Sequence, residues 1–291
     1  MKLGYVCTNY NNSAVTIEAM DSLRATPGHD YFCVVVDNAS RPDEQAKIAA
    51  YCAQYDNCDV VQSIENLGYF NGLNLGLDHI RTQYPDVEWM LIGNNDLEFG
   101  AGFADRLNVL RPTYEEYCVI SPDIVTLDGD HQNPHVVAGI SPLRETVYDL
   151  YYSNFHLGGA ILKMVSWLPR ESTERGDEAN WKTAQEIYQG HGSCYILTPK
   201  FFRTLKRFWA PTFLYYEEYF LSHQLAQIGE KVLYHPGLVV RHKCHASFSK
   251  LPRRKVWDYS RDAHRIYRKY VSRHGPRHTP PPMQPYTAPK I

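Results

Sequence analysis

No run of about 18 apolar residues occurs anywhere in the 291-residue chain, so no segment has the composition of a membrane-spanning helix. The opening stretch, MKLGYVCTNYNN, turns polar after a few apolar residues and lacks the apolar core of a secretory signal. A cytoplasmic location is therefore expected. Cysteine is present in an odd number, seven, at irregular positions (Cys7, Cys33, Cys52, Cys58, Cys118, Cys194 and Cys244) and without a CxxC pair. That pattern excludes a disulfide framework and reads as reduced, mostly buried thiols. The run Arg241-His242-Lys243-Cys244-His245 has no second Cys/His cluster to complete four ligands, which argues against structural zinc. Helix-turn-helix, RNP and zinc-finger patterns are also missing, and no nucleic-acid partner is expected.

What is present is ordinary for a folded domain: 44% hydrophobic and 21% charged residues exclude disorder and fibrous repeats. Tyrosine is abundant, at 22 residues, which suits ring stacking on sugars but equally suits the amphipathic edge of a core. The net charge of −2 hides a split, because residues 241–291 hold 13 Lys/Arg against 2 Asp/Glu. The remainder holds 17 against 30, so a basic end follows an acidic body. Such an end suits an anionic partner, either a membrane surface or a phosphate-bearing substrate.

The first hundred residues alternate short apolar runs with helical spacing: Leu3–Cys7 then 13–25, Tyr31–Val36 then 41–54, Asp59–Gln62 then 70–83, and Trp89–Ile92. This βαβαβαβ order predicts a mostly parallel, Rossmann-like sheet flanked by helices. Polar clusters follow each run, at Thr8-Asn9-Tyr10, Asp37-Asn38-Ala39-Ser40, Asn66-Leu67-Gly68 and Asn94-Asn95-Asp96. A parallel sheet brings the carboxyl ends of its strands to one edge, so these distant clusters should converge on one crevice.

Beyond residue 118 short strands and turns are expected, with Asp128-Gly129-Asp130 as a hairpin turn. Residues 141–190 read as irregular, acceptor-side structure, leading through Gly190-His191-Gly192 into the apolar strand Cys194–Leu197. A helix should begin at Glu217-Glu218 and end at Gly229, and a further basic amphipathic helix should span 253–273. The chain divides on this reading into a domain over 1–250, with nucleotide-binding (1–100) and acceptor-binding (101–250) halves. A basic helical extension over 251–275 and an extended Pro-rich tail over 276–291 follow.

In order and spacing these clusters resemble the family 2 inverting glycosyltransferases of GT-A fold, and rhamnosyltransferase-like members in particular. The matching pieces are Thr8–Asn11, Asp37–Ser40, Asn66–Tyr69 with Asn71-Gly72 and Asn74–Gly76, Asn94–Asp96, Gly192–Leu197, Phe213–Glu218, and His242 with Ser247. Several ordered motifs together are specific where any one alone would be weak. The resemblance implies that Thr8, Asn9, Tyr10, Asp37 and Asn38 hold the nucleotide. The Asp37 carboxylate would accept the ring N–H of uracil or thymine, a role that an acceptor-only group can fill. The same cluster also suits a cap for the helix that follows. Asn66, Gly68, Asn71 and Asn95 would line the ribose and diphosphate side.

The resemblance further implies a divalent cation, Mn2+ or Mg2+, held by Asp96 with His242 reaching back to it. The imidazole tilts the choice toward manganese, and a phosphate-contacting or surface role for His242 is the alternative. Glu218 aligns with the base of the family, although the pair there usually reads Glu-Asp, and Glu217 is the second candidate. The implied donor is a dTDP- or UDP-linked sugar, with rhamnose the sugar that the likeness points to, and the implied acceptor a hydroxyl of a glycan or lipid-linked molecule in bacterial surface polysaccharide synthesis. The basic C-terminal region would allow peripheral contact with the inner face of the membrane. Two rivals stand beside this reading. A nucleotidyltransferase would open with a glycine-rich loop containing Arg and Lys, which Thr8–Asn12 lacks, and a non-catalytic sugar- or nucleotide-binding module would tolerate the departures at Asn94 and Glu218.

Overall fold

A computed structural model describes residues 1–167, 180–244 and 253–271 together with the backbone of 272 and 275–276. Its first strand, β1 (Lys2–Asn9), pairs in parallel with both β2 (Asp30–Asn38) and β4 (Trp89–Gly93), and β2 pairs in parallel with β3 (Cys58–Ser63). Helices α1 (Ser13–Arg24), α2 (Pro42–Cys52) and α3 (Tyr69–Gln83) make the connections. The remaining strands of this sheet are β5 (Leu97–Phe99), β6 (Val119–Thr126), β7 (Gln185–Ile187), β8 (Cys194–Leu197) and β9 (Val232–His242). Together, among the described residues, they form a nine-stranded sheet ordered β3-β2-β1-β4-β8-β6-β9-β5, with β7 joined to β9.

Alternation along β1 explains the layers. Leu3, Tyr5 and Cys7 point to one face, where Met20 and Leu23 of α1 and Ile48 of α2 cover them. Val6, with Val34 and Val36 of β2, points to the other, under Leu73 and Leu77 of α3. The fit of α3 is close: a Cβ at Gly76 would lie 2.4 Å from a Val6 methyl, so only glycine permits this approach.

The predicted strands and helices of the first hundred residues all form, as does the turn at Asp128-Gly129-Asp130, where Thr126 N–H donates to the Asp130 carbonyl at 2.9 Å. The helix at the acid pair runs from Glu217 to Ala226 and closes at Gly229 (φ +73°), where the Glu230 N–H returns to the Leu225 carbonyl. Residues 141–190 depart from expectation. They hold two consecutive helices, Pro142–Ser153 (α5) and Phe155–Val165 (α6). Ser141 caps α5 by accepting the Arg144 N–H, and Asn154 caps α6 by accepting from His156 and Leu157. The run FHLGGAILKMV of α6 carries a single charge and two adjacent glycines, which weaken its helical signal in the sequence.

The chain-order labels continue with α4 (Phe103–Leu110), α7 (Pro199–Thr204), α8 (Glu217–Ala226) and α9 (Arg253–Tyr270). Helix α9 packs through Trp257, Ala263, His264 and Tyr267 and leaves Arg253, Arg254, Lys255, Arg265 and Lys269 in solvent. The Pro-rich tail expected from 276 and residues His245 and Ser247 lie, apart from the backbone of Pro276, outside the described residues. Six of the seven cysteines are buried and unpaired, and Cys244 is exposed. None of the described helices is long and apolar enough to cross a membrane.

Candidate active site

The parallel register aligns Asn9 with Asp37, Asn38 with Ser63 and Cys7 with Gly93, so β1 to β4 end at one edge. There the polar clusters meet. Asp37 is fully buried, and its carboxylate accepts from Asn9 Nδ2 (2.8 Å), the Ser40 N–H (2.9 Å) and Gln45 Nε2 (3.1 Å). Asn9 in turn accepts from Thr16 Oγ1 (2.9 Å), which itself accepts from Asn95 Nδ2 (2.8 Å). Asn9, Asp37 and Asn95 are thus bound to one another through Thr16. Beside them an open depression of about 530 Å³ is lined by Ala39, Ser40, Gln45, Gln62, Ser63 and Ile64. Thr8 sits under α3, where a Cβ at Gly72 would lie 2.7 Å from its methyl, and Tyr10 stands exposed at the rim.

Across the edge, Asn66 accepts the Gly68 N–H at 2.9 Å and Asn38 Nδ2 donates to the Gly68 carbonyl at 3.0 Å. Gly68 has φ +81°, and a Cβ there would fall 1.8 Å from the Phe213 carbonyl oxygen, which also receives the Tyr69 N–H at 3.2 Å. Asn71 Nδ2 reaches the Thr212 carbonyl at 3.5 Å. The loop after β3 is therefore stitched to the segment that leads into α8.

The Asp96–His242 pair is formed by strand pairing, since Leu97 lies opposite His242 in β5 and β9. Asp96 Oδ1 and His242 Nε2 are 3.2 Å apart, both side chains almost fully buried. The other imidazole nitrogen, Nδ1, stands 2.8 Å from Gln132 Oε1, an acceptor, so Nδ1 carries the proton. With the proton on Nδ1, Nε2 presents its lone pair, which accepts from Asn94 Nδ2 at 3.2 Å. Asp96 Oδ1 accordingly has no hydrogen-bond donor despite its ion-pair distance to the ring. A carboxylate oxygen without a donor beside an imidazole nitrogen, the ring oriented from behind by an amide, fits a divalent cation that would take the place of the Asn94 amide on Nε2. Among the described residues no third His, Cys, Asp or Glu joins them. The remaining ligands of such a cation would have to come from substrate oxygens or water.

Glu217 and Glu218 open α8 after two consecutive tyrosines in the left-handed region, Tyr215 (φ +69°) and Tyr216 (φ +68°). Non-glycine residues pay about 1 kcal/mol or more for that conformation, and such strain concentrates where side chains must be aimed. Burial, reinforced by the neighbouring Glu218 carboxylate, pushes the Glu217 carboxyl up to about 8. Glu218 accepts the Gly192 N–H at 3.1 Å.

Sequence reasoning counted Gly192–Leu197 among the matching motifs but gave His191, Gly192 and Ser193 no role of their own. The Gly192 N–H meets Glu218, the Gly192 carbonyl accepts from Tyr69 Oη (2.8 Å), and the Ser193 carbonyl accepts the Asn94 N–H (2.9 Å). The His191 ring centroid lies 5.9 Å from that of His242. Three residues thus join the acid pair to the Asp96–His242 pair. Gln132, which orients His242, was also missed; its position depends on the turn returning it to β6, where its N–H meets the Ile124 carbonyl.

Residues 6–107 match the family model of glycosyl transferase family 2. The matched segment holds every proposed nucleotide-side residue and Asp96, whereas Glu217, Glu218 and His242 lie beyond it. The low-salt glycan biosynthesis hexosyltransferase Agl10 of Haloferax volcanii is 26% identical over 185 residues, covering 64% of this chain and 50% of the relative. The chain thus spans half the length of that curated relative. A structure of GalNAc-T7 with UDP, GalNAc and Mn2+ is similar at TM-score 0.56 and 13% identity, over 85% of this chain and 44% of that one. The mannosyltransferase PcManGT from Pyrobaculum calidifontis, solved with GDP-Man and Mn2+, gives TM-score 0.50 and 16% identity over 91% of this chain and 60% of that one. The shared fold is GT-A.

Proposed function

We propose that the chain is an inverting glycosyltransferase that moves a sugar from a nucleotide diphosphate to a hydroxyl of a glycan or lipid-linked acceptor. A dTDP- or UDP-linked donor, with rhamnose the sugar suggested by resemblance, completes the reading. The observation that carries it is the pairing of two unlike sites on one loop: a donor-less carboxylate oxygen facing an imidazole lone pair, and an acid pair tied to the same His191–Ser193 segment. A sugar nucleotide needs both, because its diphosphate must be neutralised on one side while a hydroxyl loses its proton on the other.

On this reading Glu218 removes the proton from the acceptor hydroxyl. The oxygen attacks the anomeric carbon, and the bond to the diphosphate breaks on the opposite face, its electron pair leaving with the nucleoside diphosphate. Mn2+ or Mg2+ on Asp96 and His242 would supply Lewis-acid stabilisation of the leaving phosphates. Glu217, held protonated near neutrality by burial, can donate to the acceptor or to Glu218 rather than compete for the proton. Manganese in the solved structures of GalNAc-T7 and PcManGT supports the cation assignment. At the base end, an incoming ring N–H would replace the Gln45 amide on Asp37, at the wall of the open depression. The exposed cations at the start of α9 support contact with an anionic surface.

Hydrolysis or transfer of a UDP- or dTDP-sugar in the presence of Mn2+ tests the proposal. Glu218→Gln and Asp96→Ala are each expected to lower the rate by about 10²-fold or more. Undiminished rates in both would overturn the site assignment. Thermal shifts with UDP, dTDP, GDP and CDP test the base end, where preference for GDP or CDP would overturn the role given to Asp37.

A further inference from the structure

We infer that the α5–α6 hairpin is a docking surface for an anionic membrane, with α6 lying in the headgroup layer and the start of α9 supplying the cations beside it. The starting point is an anomaly of burial. Helix α6 is the most apolar helix in sequence, FHLGGAILKMV, yet Gly158 is its one buried residue. Leu157 (42% exposed), Leu162 (56%), Met164 (62%), Val165 (40%) and the following Trp167 (75%) face solvent, and Leu150 of α5 adds 51%. Single exposed apolar side chains are ordinary, but a contiguous set on one hairpin marks a surface that another phase or molecule covers.

The length of α6 excludes a span, since 11 residues rise about 16 Å where a bilayer core needs roughly 20 residues. Its exposed apolar side chains can therefore enter only the headgroup and upper acyl layer, with the polar contacts supplied by neighbouring elements. What selects a membrane as the occupant is charge. The root of α6 is packed against α9, with the Phe155 and Trp257 rings 5.5 Å apart and the Arg254 guanidinium 4.7 Å from the Phe155 ring. Arg253, Arg254 and Lys255 are exposed at that point, and Lys163 projects from α6 itself. Apolar side chains bordered by cations match acyl chains bordered by anionic headgroups. A second copy docked through the same face by a two-fold axis would instead bring both sets of cations together. Trp167, at the end of the apolar run with the Lys163 ammonium 5.8 Å from its ring, has the amphipathic character favoured at headgroup depth.

This surface is distinct from Asp96, His242 and the acid pair, so its test is separable from that of the transfer reaction. The full chain is sedimented with vesicles of phosphatidylglycerol and phosphatidylcholine in equal parts, and with phosphatidylcholine alone. Binding is expected to the anionic vesicles, to weaken with added salt, and to fall by at least about tenfold in Leu162→Glu/Met164→Glu and in Arg253→Glu/Arg254→Glu/Lys255→Glu. Donor hydrolysis in free solution should be unchanged in the same variants, which also shows that they fold. Quenching of wild-type fluorescence by brominated lipids, lost in Trp167→Phe, would locate the insertion. Equal binding by wild type and the Glu variants overturns the proposal, as does equal binding to both vesicle types. A concentration-dependent dimer dissolved by Leu162→Glu/Met164→Glu, without vesicle binding, would overturn it in favour of a second copy.

Discussion

The nucleotide-side edge and the layer formed by α5, α6 and α9 use polar groups in opposite ways. At the edge, Asn9, Thr16, Asp37, Ser40 and Asn95 bond to one another within a few residues of strand ends, and the sheet register alone brings them together. In the second region the polar groups come from helices far apart in the chain. Tyr267 Oη donates to Glu145 (2.7 Å), Arg268 reaches Glu145 and Asp149, and His264 bridges Asp149 (2.9 Å) and Tyr216 (2.8 Å). One site is built by topology before any ligand arrives; the other is assembled by a helix from near the end of the chain. A ligand feature common to all substrates suits the first, and a variable acceptor suits the second.

The sharpest way to probe this contrast is at Gly68, where the edge meets the segment that leads into α8. Gly68→Ala places a Cβ 1.8 Å from the Phe213 backbone oxygen in a left-handed conformation, so the loop after β3 or the lead into α8 must move. A loss of about 3 kcal/mol or more is expected, read as a fall in Tm of several degrees, together with weaker UDP binding. A Tm within a degree of wild type would show that the edge is not stitched to the lead into α8 there.

A smaller effect distinguishes the acid pair from its surroundings. Burial first, and Glu218 second, raise the Glu217 carboxyl from 4.5 to about 8. Between those values the unfolded chain has lost the proton that the folded chain keeps. The stability that Glu217 contributes is therefore complete below about pH 4.5 and is lost as pH rises through about 8. Glu217→Gln stays neutral and should remove a part of that pH dependence on the order of a few kcal/mol. Urea unfolding at pH 5.5 and 8.5 measures it, and identical pH slopes in the two proteins would show that Glu217 is ionised in the fold.

How legible each region was in the sequence follows the same contrast. Strand-to-cluster spacing exposed the edge because β1 to β4 each follow an apolar run with a polar end, and parallel pairing leaves those ends little choice of place. It exposed Glu217 and Glu218 as the start of a helix, but not that Tyr215 and Tyr216 would hold left-handed backbone before them. The α5–α6 hairpin stayed hidden, since the adjacent Gly158 and Gly159 weaken the helical signal of α6 and the run carries a single charge. Its caps were readable: Ser141 before Pro142, and Asn154 before Phe155. His191 could not be ranked among 13 histidines, because its value lies in a backbone neighbour that meets Glu218 26 residues later and a ring 5.9 Å from His242.

The smallest predicted effect tests whether α9 helps aim the acid pair. Burial lowers the affinity of His264 for a proton, so the ring is neutral near pH 7. With Asp149 as acceptor at Nε2, the single N–H points there, and Nδ1 accepts from Tyr216 Oη at 2.8 Å. Tyr216 is also the left-handed residue immediately before Glu217. Tyr216→Phe deletes one buried hydrogen bond and leaves Nδ1 without its donor, a cost of about 1 kcal/mol that should lower Tm by roughly 2–4 °C. If the bond only stabilises, transfer kinetics measured well below Tm will match wild type. If it positions Glu217 and Glu218, kcat will fall several-fold while the KM for the donor, which the proposed reading places at the opposite edge, stays within about twofold. An unchanged kcat would therefore confine α9 to the fold and separate the two regions more completely than the structure suggests.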